Sequence, residues 1–168
     1  MPFTPYHIGP GLFLGLVLLG LIDFPTFLVA NVIVDVEPFL VLFFDLNYPL
    51  HGFFHSFLGG TLVAVLLALV MFKIRDKLTP VLAFFQIKQK VSFKRIIVAS
   101  FSGIYLHILL DSPIYSDIQP FYPSAYNPFF SGGILAGLES YIFCIGSFLA
   151  AVAVYVVMLI LRRKQKKI

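Results

Sequence analysis

Leu50-His51-Gly52-Phe53-Phe54-His55-Ser56 opens the longest uncharged apolar run in the first half of the chain, residues 57–72. Two imidazoles four residues apart sit about one turn apart on one face of a helix. At that spacing both can reach one metal ion or two adjacent ones. A polar pair at the mouth of a membrane helix is costly unless it is paired or functional. Residues 52–73 are long enough to cross a hydrocarbon core of about 30 Å, and Lys73, Arg75 and Lys77 close the segment. The stretch therefore predicts a membrane span with a polar site at its mouth. The plainer alternative is a pair of hydrogen-bonded interfacial histidines.

Composition supports the span. The 168 residues are 60% hydrophobic, and a mean hydropathy of +0.96 lies far above that of a soluble domain. The expected fold is an all-α integral membrane protein. It is a compact helical bundle of three full spans, with a short N-terminal helix pair and a cytoplasmic amphipathic helix, all in one membrane domain. The lone Cys144, inside an apolar segment, offers neither a disulfide framework nor a cysteine metal site. No basic region precedes the first apolar run, which is expected to be a retained helix and not a cleaved signal peptide.

Working towards the N-terminus, Asp23-Phe24-Pro25 breaks the apolar run 11–22, and an Asp cap followed by Pro starts a second helix near Thr26. Pro38 is expected to end it. Each of these helices has about a dozen residues, roughly 18 Å, so residues 8–37 read as a shallow or re-entrant pair packed against the bundle. Residues 39–48 belong at the interface. Towards the C-terminus, residues 79–93 mix apolar side chains with lysines and read as an amphipathic surface segment. Residues 95–110 and 134–161 are spans. Between them, residues 111–132 form an outer loop in which Pro113, Pro120, Pro123 and Pro128 alternate with aromatics suited to the membrane interface. Residues 162–168 are a basic tail.

All twelve Lys and Arg fall within residues 73–95 or 162–167. The positive-inside rule makes both clusters cytoplasmic, with the C-terminus inside a multi-pass cell-membrane protein. Every histidine, and every acid except Asp23 and Asp76, then lies toward the outer side. His107 stands about 18 Å above Arg95 and Asp111 about 24 Å, both below the outer headgroups. The polar residues thus form a recessed outer-leaflet pocket, and the proline- and aromatic-rich loop is placed to cover it.

The candidate metal ligands are His7, Asp35, Glu37, His51, His55, His107 and Asp111. His107 and Asp111 repeat the four-residue spacing. Asp35 and Glu37 converge only where a helix ends, which Pro38 provides. Mixed imidazole and carboxylate donors suit a divalent ion (zinc, manganese or iron), and seven suffice for two ions.

These blocks resemble the YdjM-like family of predicted membrane-bound metal-dependent hydrolases. Its pattern is an early histidine, an Asp-x-Asp block, a His/Arg-Gly-x-x-His-Ser block and a His-x-x-x-Asp block. Here they read Tyr6-His7-Ile8, Asp35-Val36-Glu37, His51-Gly52-Phe53-Phe54-His55-Ser56 and His107-Ile108-Leu109-Leu110-Asp111. Glu37 replaces the second aspartate, Val34 the preceding proline, and His51 stands where better-known members have arginine, whose preceding histidine corresponds to Leu50. The family is distantly similar to zinc-dependent phospholipase C and the P1-type nucleases. That likeness implies a zinc site and phosphoester hydrolysis.

The expected mechanism is metal-assisted hydrolysis, with Glu37 and Asp35 as the catalytic acids and Glu37 relaying the proton of an activated water. A recessed outer-leaflet site favours a membrane lipid or another amphiphilic substrate. With no Lys or Arg on that side, the metals, Ser56, Ser112 and loop tyrosines would have to hold a phosphate, and a non-anionic ester or amide is equally permitted as substrate. Nucleic acid is not an expected partner, since the basic surface it needs is missing there. Two other classes stand beside this one. A metal-ion or proton translocator would need polar residues continued to the inner side, and a structural subunit would hold a non-catalytic metal with no open position.

Overall fold

The computed structural model describes residues 4–90 and 92–165, and among them every regular element is helical. Four stretches are long and apolar enough to cross a membrane: Phe24–Phe43, Phe57–Phe84, Phe93–Asp111 and Gly137–Gln165. The all-helical membrane bundle expected from the sequence is present, with a fourth length-competent stretch in place of part of the short N-terminal pair.

That fourth stretch arises because the chain does not stop at Pro38. Helix α1 is Ile8–Val17, and α2, Phe24–Ala30, begins as predicted: Asp23 accepts from the Thr26 amide at 3.3 Å, with Pro25 in the first turn. The helix then breaks early, at a 3-10 turn over Ile33–Asp35, and resumes as α3, Val36–Phe43. Pro38 falls in the first turn of α3, where its missing N–H has no helical partner to lose. The break lies upstream of the proline, and it is this break that frees Asp35 for the site.

Helix α4, Phe57–Ile74, is capped by Ser56, whose Oγ accepts from Gly59 N–H at 2.9 Å. It continues through a 3-10 turn, Arg75–Leu78, into the six-residue α5, Thr79–Phe84. Of the expected amphipathic segment 79–93, residues 79–84 are thus helical, residues 85–90 are not, and Phe93 starts the next helix. The non-helical part is held in place because the Gln89 amide satisfies backbone groups orphaned at helix ends: it donates to Leu19 and Ile22 carbonyls at 2.6 and 2.7 Å and accepts from Phe24 N–H at 2.9 Å. Leu82 and Ile87 are accordingly buried with Leu16, Phe24 and Ala151.

Helix α6, Phe93–Asp111, packs against α4 and α2 around Ala30, Val34, Ala64, Ile104 and Ile108. Gly103 permits the approach of α2, because a Cβ there would meet Ala30 Cβ at 2.5 Å. Helix α7, Ile134–Gln165, packs on α1, and Gly9 lets their backbones meet at Cys144. With α4 and α6 joined by residues 75–92, their basic ends lie together, and His55 and Asp111 share the opposite end. Of the basic tail, Lys166 and Lys167 lie outside the described residues.

At the basic end Arg75 turns inward. Its Nε donates to Asp23 Oδ1 at 2.5 Å, and both side chains are 1% exposed. Breaking such a pair from one side strands a buried charge, a loss of about 3–5 kcal/mol. Asp23→Asn should therefore lower the detergent unfolding midpoint sharply, and adding Arg75→Met should restore much of it. A single variant as stable as the wild type would refute the role assigned to the pair.

Candidate metal centre

Three helix interruptions meet at the end of the bundle away from the lysines and arginines: the turn Ile33–Asp35, a 3-10 turn Phe53–His55 ahead of α4, and the C-terminus of α6. Each releases backbone groups and side chains that a continuous helix would hold. In an unbroken helix the Asn31 carbonyl would accept from Asp35 N–H. Here that amide donates to Val32 O at 3.2 Å, and the Asn31 carbonyl accepts from His107 Nδ1 at 2.8 Å. A carbonyl accepts only, so the His107 proton sits on Nδ1 and the Nε2 lone pair faces the other way.

His55 is set by the same logic. Its Nδ1 lies 3.0 Å from Glu37 Oε2, and Glu37 is held in turn by Phe54 N–H, 3.1 Å from each carboxylate oxygen. The two Nε2 atoms then converge on two carboxylates. His55 Nε2 lies 3.8 Å and His107 Nε2 3.4 Å from Asp35 Oδ1, and His107 Nε2 is 3.3 Å from Asp111 Oδ2. His7 approaches from α1, its Nε2 3.1 Å from Asp111 Oδ1. Asp35, His55, His107 and Asp111 each offer a donor atom within 4.8 Å of the others.

Burial makes this arrangement suited to a cation. His55 and His107 are 0% exposed and Asp111 2%, and buried carboxylates are costly without compensating charge. Among the described residues neither His55 Nε2 nor His107 Nε2 has a hydrogen-bond partner. Neighbouring donors on a tetrahedral ion with bonds near 2.1 Å stand about 3.4 Å apart, close to the spacings here. The residues fit a divalent metal bound by two imidazoles and two carboxylates, a set compatible with zinc, manganese or iron. The carboxylate on His55 and the carbonyl on His107 are the outer partners that such ligands require.

Of the seven residues singled out in the sequence, four form this cluster and His7 adjoins it. His107 and Asp111 share a face of α6 as expected. His51 and His55 do not share a helix, because Gly52 and the 3-10 turn separate His51 from α4. His51 instead has Nδ1 3.1 Å from Asp117 Oδ1 and donates its backbone N–H to Asp117 Oδ2 at 3.1 Å, with its ring 4.8 Å from that of His55. Glu37 lies behind His55 as its orienting partner. Ser56 and Ser112, expected as substrate donors, are committed to helix ends: Ser56 Oγ donates to Phe53 O, and Ser112 Oγ donates to Ile108 O.

The loop after α6 covers this end. Pro120 O accepts from Phe57 N–H at 2.8 Å, and the Tyr115 ring stacks on His51 at 4.0 Å. Burial would raise the Asp117 pKa, but its hydrogen bonds from His51 outweigh that and hold the carboxyl below the usual range. A 340 Å³ cavity opens beside His51, lined also by Asp117, Gln119 and Tyr122. Asn31 and Asp117 were not singled out in the sequence, and Tyr115 only as one of the loop tyrosines. Asn31 left a signal, an amide inside an apolar run, whereas Asp117 left none.

A family model described as YdjM inner membrane protein matches residues 3–167. No curated protein and no solved structure matches.

The cluster should hold a metal ion in detergent-purified protein, measured by plasma mass spectrometry. His55→Ala, His107→Ala and Asp111→Ala should each empty it, and His51→Ala should leave it filled. Glu37→Gln should weaken binding by roughly 10–100-fold. Metal retained in His107→Ala, or absent from wild type after adding it back, would contradict the assignment.

Proposed function

The chain belongs to the YdjM inner membrane protein family, and on that premise we propose that it is a membrane-embedded, metal-dependent hydrolase acting on a phosphoester of a lipid or another amphiphile. The observation that carries this is the pair of Nε2 atoms, both oriented from behind, with that of His55 aimed at Asp35 and that of His107 at Asp35 and Asp111. The pattern of blocks in the sequence, resembling hydrolases related to zinc phospholipases, supplies the reaction class. In this reading the basic end is cytoplasmic and the site faces the outer leaflet.

Asp35, His55, His107 and Asp111 would hold the ion, most simply zinc, with His7 positioning Asp111. When bound, the metal supplies a lowered pKa for a coordinated water and a Lewis acid for a phosphoryl oxygen. Glu37 keeps the His55 proton on Nδ1, and Asn31 does the same for His107. Asp35, at 15% side-chain exposure against 3% for Asp111, is the more accessible carboxylate of the cluster and the one suited to accept a proton from water. Glu37, with its oxygens engaged by Phe54 and His55, is a positioning residue in this scheme. The cavity at His51 would admit the polar head of the substrate, with Gln119 and Tyr122 as neutral donors. Tyr115 and the loop would limit water.

A proton or ion translocator is the second reading. It is favoured by buried Asn31, Ser100 and Thr26 and the Asp23–Arg75 pair, which continue polar groups toward the basic end.

The test is hydrolysis of a panel of lipid phosphoesters by protein in bilayer nanodiscs. Activity should disappear with chelation, return with zinc or manganese, and fall at least about 100-fold in Asp35→Asn. Metal-loaded protein inactive on every member, yet passing protons or metal ions in liposomes, would replace the hydrolase with the translocator.

A further inference from the structure

At the basic end, two cavities share residues 82–88, the end of α5 and the segment after it. One is an apolar groove of 310 Å³ between α1, α2 and α7, with Leu16, Leu82, Phe85, Ile87, Val152 and Tyr155 in its wall. The other, of 370 Å³, is lined by Ala83, Gln86, Lys88, Arg162 and Gln165. Leu82, Phe85 and Ile87 face the apolar side, and Ala83, Gln86 and Lys88 the cationic and amide side. The Tyr155 hydroxyl donates to Phe85 O at 2.9 Å and ties the segment to α7.

The groove exists because α1 ends at Val17 while α7 runs on to Gln165. Phe148, Val152, Tyr155 and Arg162 fall on one stripe of α7, at spacings of four, three and seven residues. From Phe148 to Arg162 the helix rises about 21 Å, about the thickness of one leaflet with its headgroups. An apolar groove along the Phe148–Tyr155 half of that stripe, about 10 Å, with a guanidinium and an ammonium at the stripe's far end, matches part of an acyl chain joined to an anionic head. A soluble anion would use only the cradle and a neutral apolar molecule only the groove.

We propose that this end of the molecule is a binding site for one anionic phospholipid of the adjacent leaflet, with its phosphate at Arg162 and Lys88 and an acyl chain along the groove. Arg162, half-buried, offers the planar fork that suits phosphate, and Lys88 adds a point charge. The site is independent of the metal centre, which lies at the other end of the bundle.

Native mass spectrometry of the full chain, in detergent with equimolar phosphatidylglycerol and phosphatidylcholine of identical chains, tests it. Wild type should retain one phosphatidylglycerol, preferred at least about tenfold, with roughly fivefold lost per basic residue removed. Lys88→Gln with Arg162→Gln should abolish the preference. Val152→Trp, at a half-exposed wall position, should lower retention of both lipids with an unchanged unfolding midpoint. Equal retention of the two lipids by wild type, or a preference surviving the double variant, overturns the proposal. Displacement by millimolar inorganic phosphate together with indifference to Val152→Trp would make the cradle a simple anion site and overturn it equally.

Discussion

The hydrogen bond from His107 to the Asn31 carbonyl is the contact on which the site depends. It exists because the helix begun at Phe24 breaks after Ala30, so that a carbonyl normally spent inside the helix points outward. It is reachable because Gly103 lets α2 lie against α6. Its effect is chemical as well as structural, since a carbonyl acceptor fixes the proton on Nδ1 and leaves Nε2 for a cation. The same break swings Asp35 between His55 and His107. One interruption of regular structure thus supplies a ligand, an orienting group and the opening between them. In an apolar surrounding such an interruption is tolerated only where its backbone groups find partners within the protein.

The two ends of the bundle handle buried charge in opposite ways. At the basic end Asp23 meets Arg75, and Thr26 adds its hydroxyl to the same carboxylate at 2.6 Å. That acid has its own cation and serves as a tie between α2 and the end of α4. At the other end Asp35, Glu37 and Asp111 gather with three imidazoles and no lysine or arginine among the described residues. Buried acids facing imidazoles, with no Lys or Arg beside them, are a donor set suited to a cation.

Much of this was legible in the sequence because membrane burial writes itself in composition and charge placement. The three long apolar runs, the segregation of Lys and Arg, and the His107–Asp111 turn all follow from local rules, and the structure carries them. The break before Asp35 was expected a few residues late, at Pro38, because proline is the visible breaker whereas the operative one is a tertiary contact with α6. His51 and His55 read as helical neighbours because their spacing fits. Gly52 and the capping geometry of Ser56, which starts α4 only at Phe57, decide otherwise. Asp117 was invisible for a different reason: it meets His51 across sixty-six residues of chain, and nothing local marks it. Arg75 read as one of three basic residues ending a span, and only the fold shows that it faces a buried aspartate.

The covering loop has a second consequence through the bond between Phe57 N–H and the Pro120 carbonyl. Phe57 is the first residue of α4, and its amide is one of the donors a helix start leaves without an internal partner. The loop is therefore part of the cap of the helix whose mouth it covers. Lifting it leaves that amide without its partner, a cost of about 1–3 kcal/mol where water does not replace it. Access to the site and fraying of the span beneath it are in this way a single linked equilibrium, and whatever loosens the first turn of α4 also unlatches the loop.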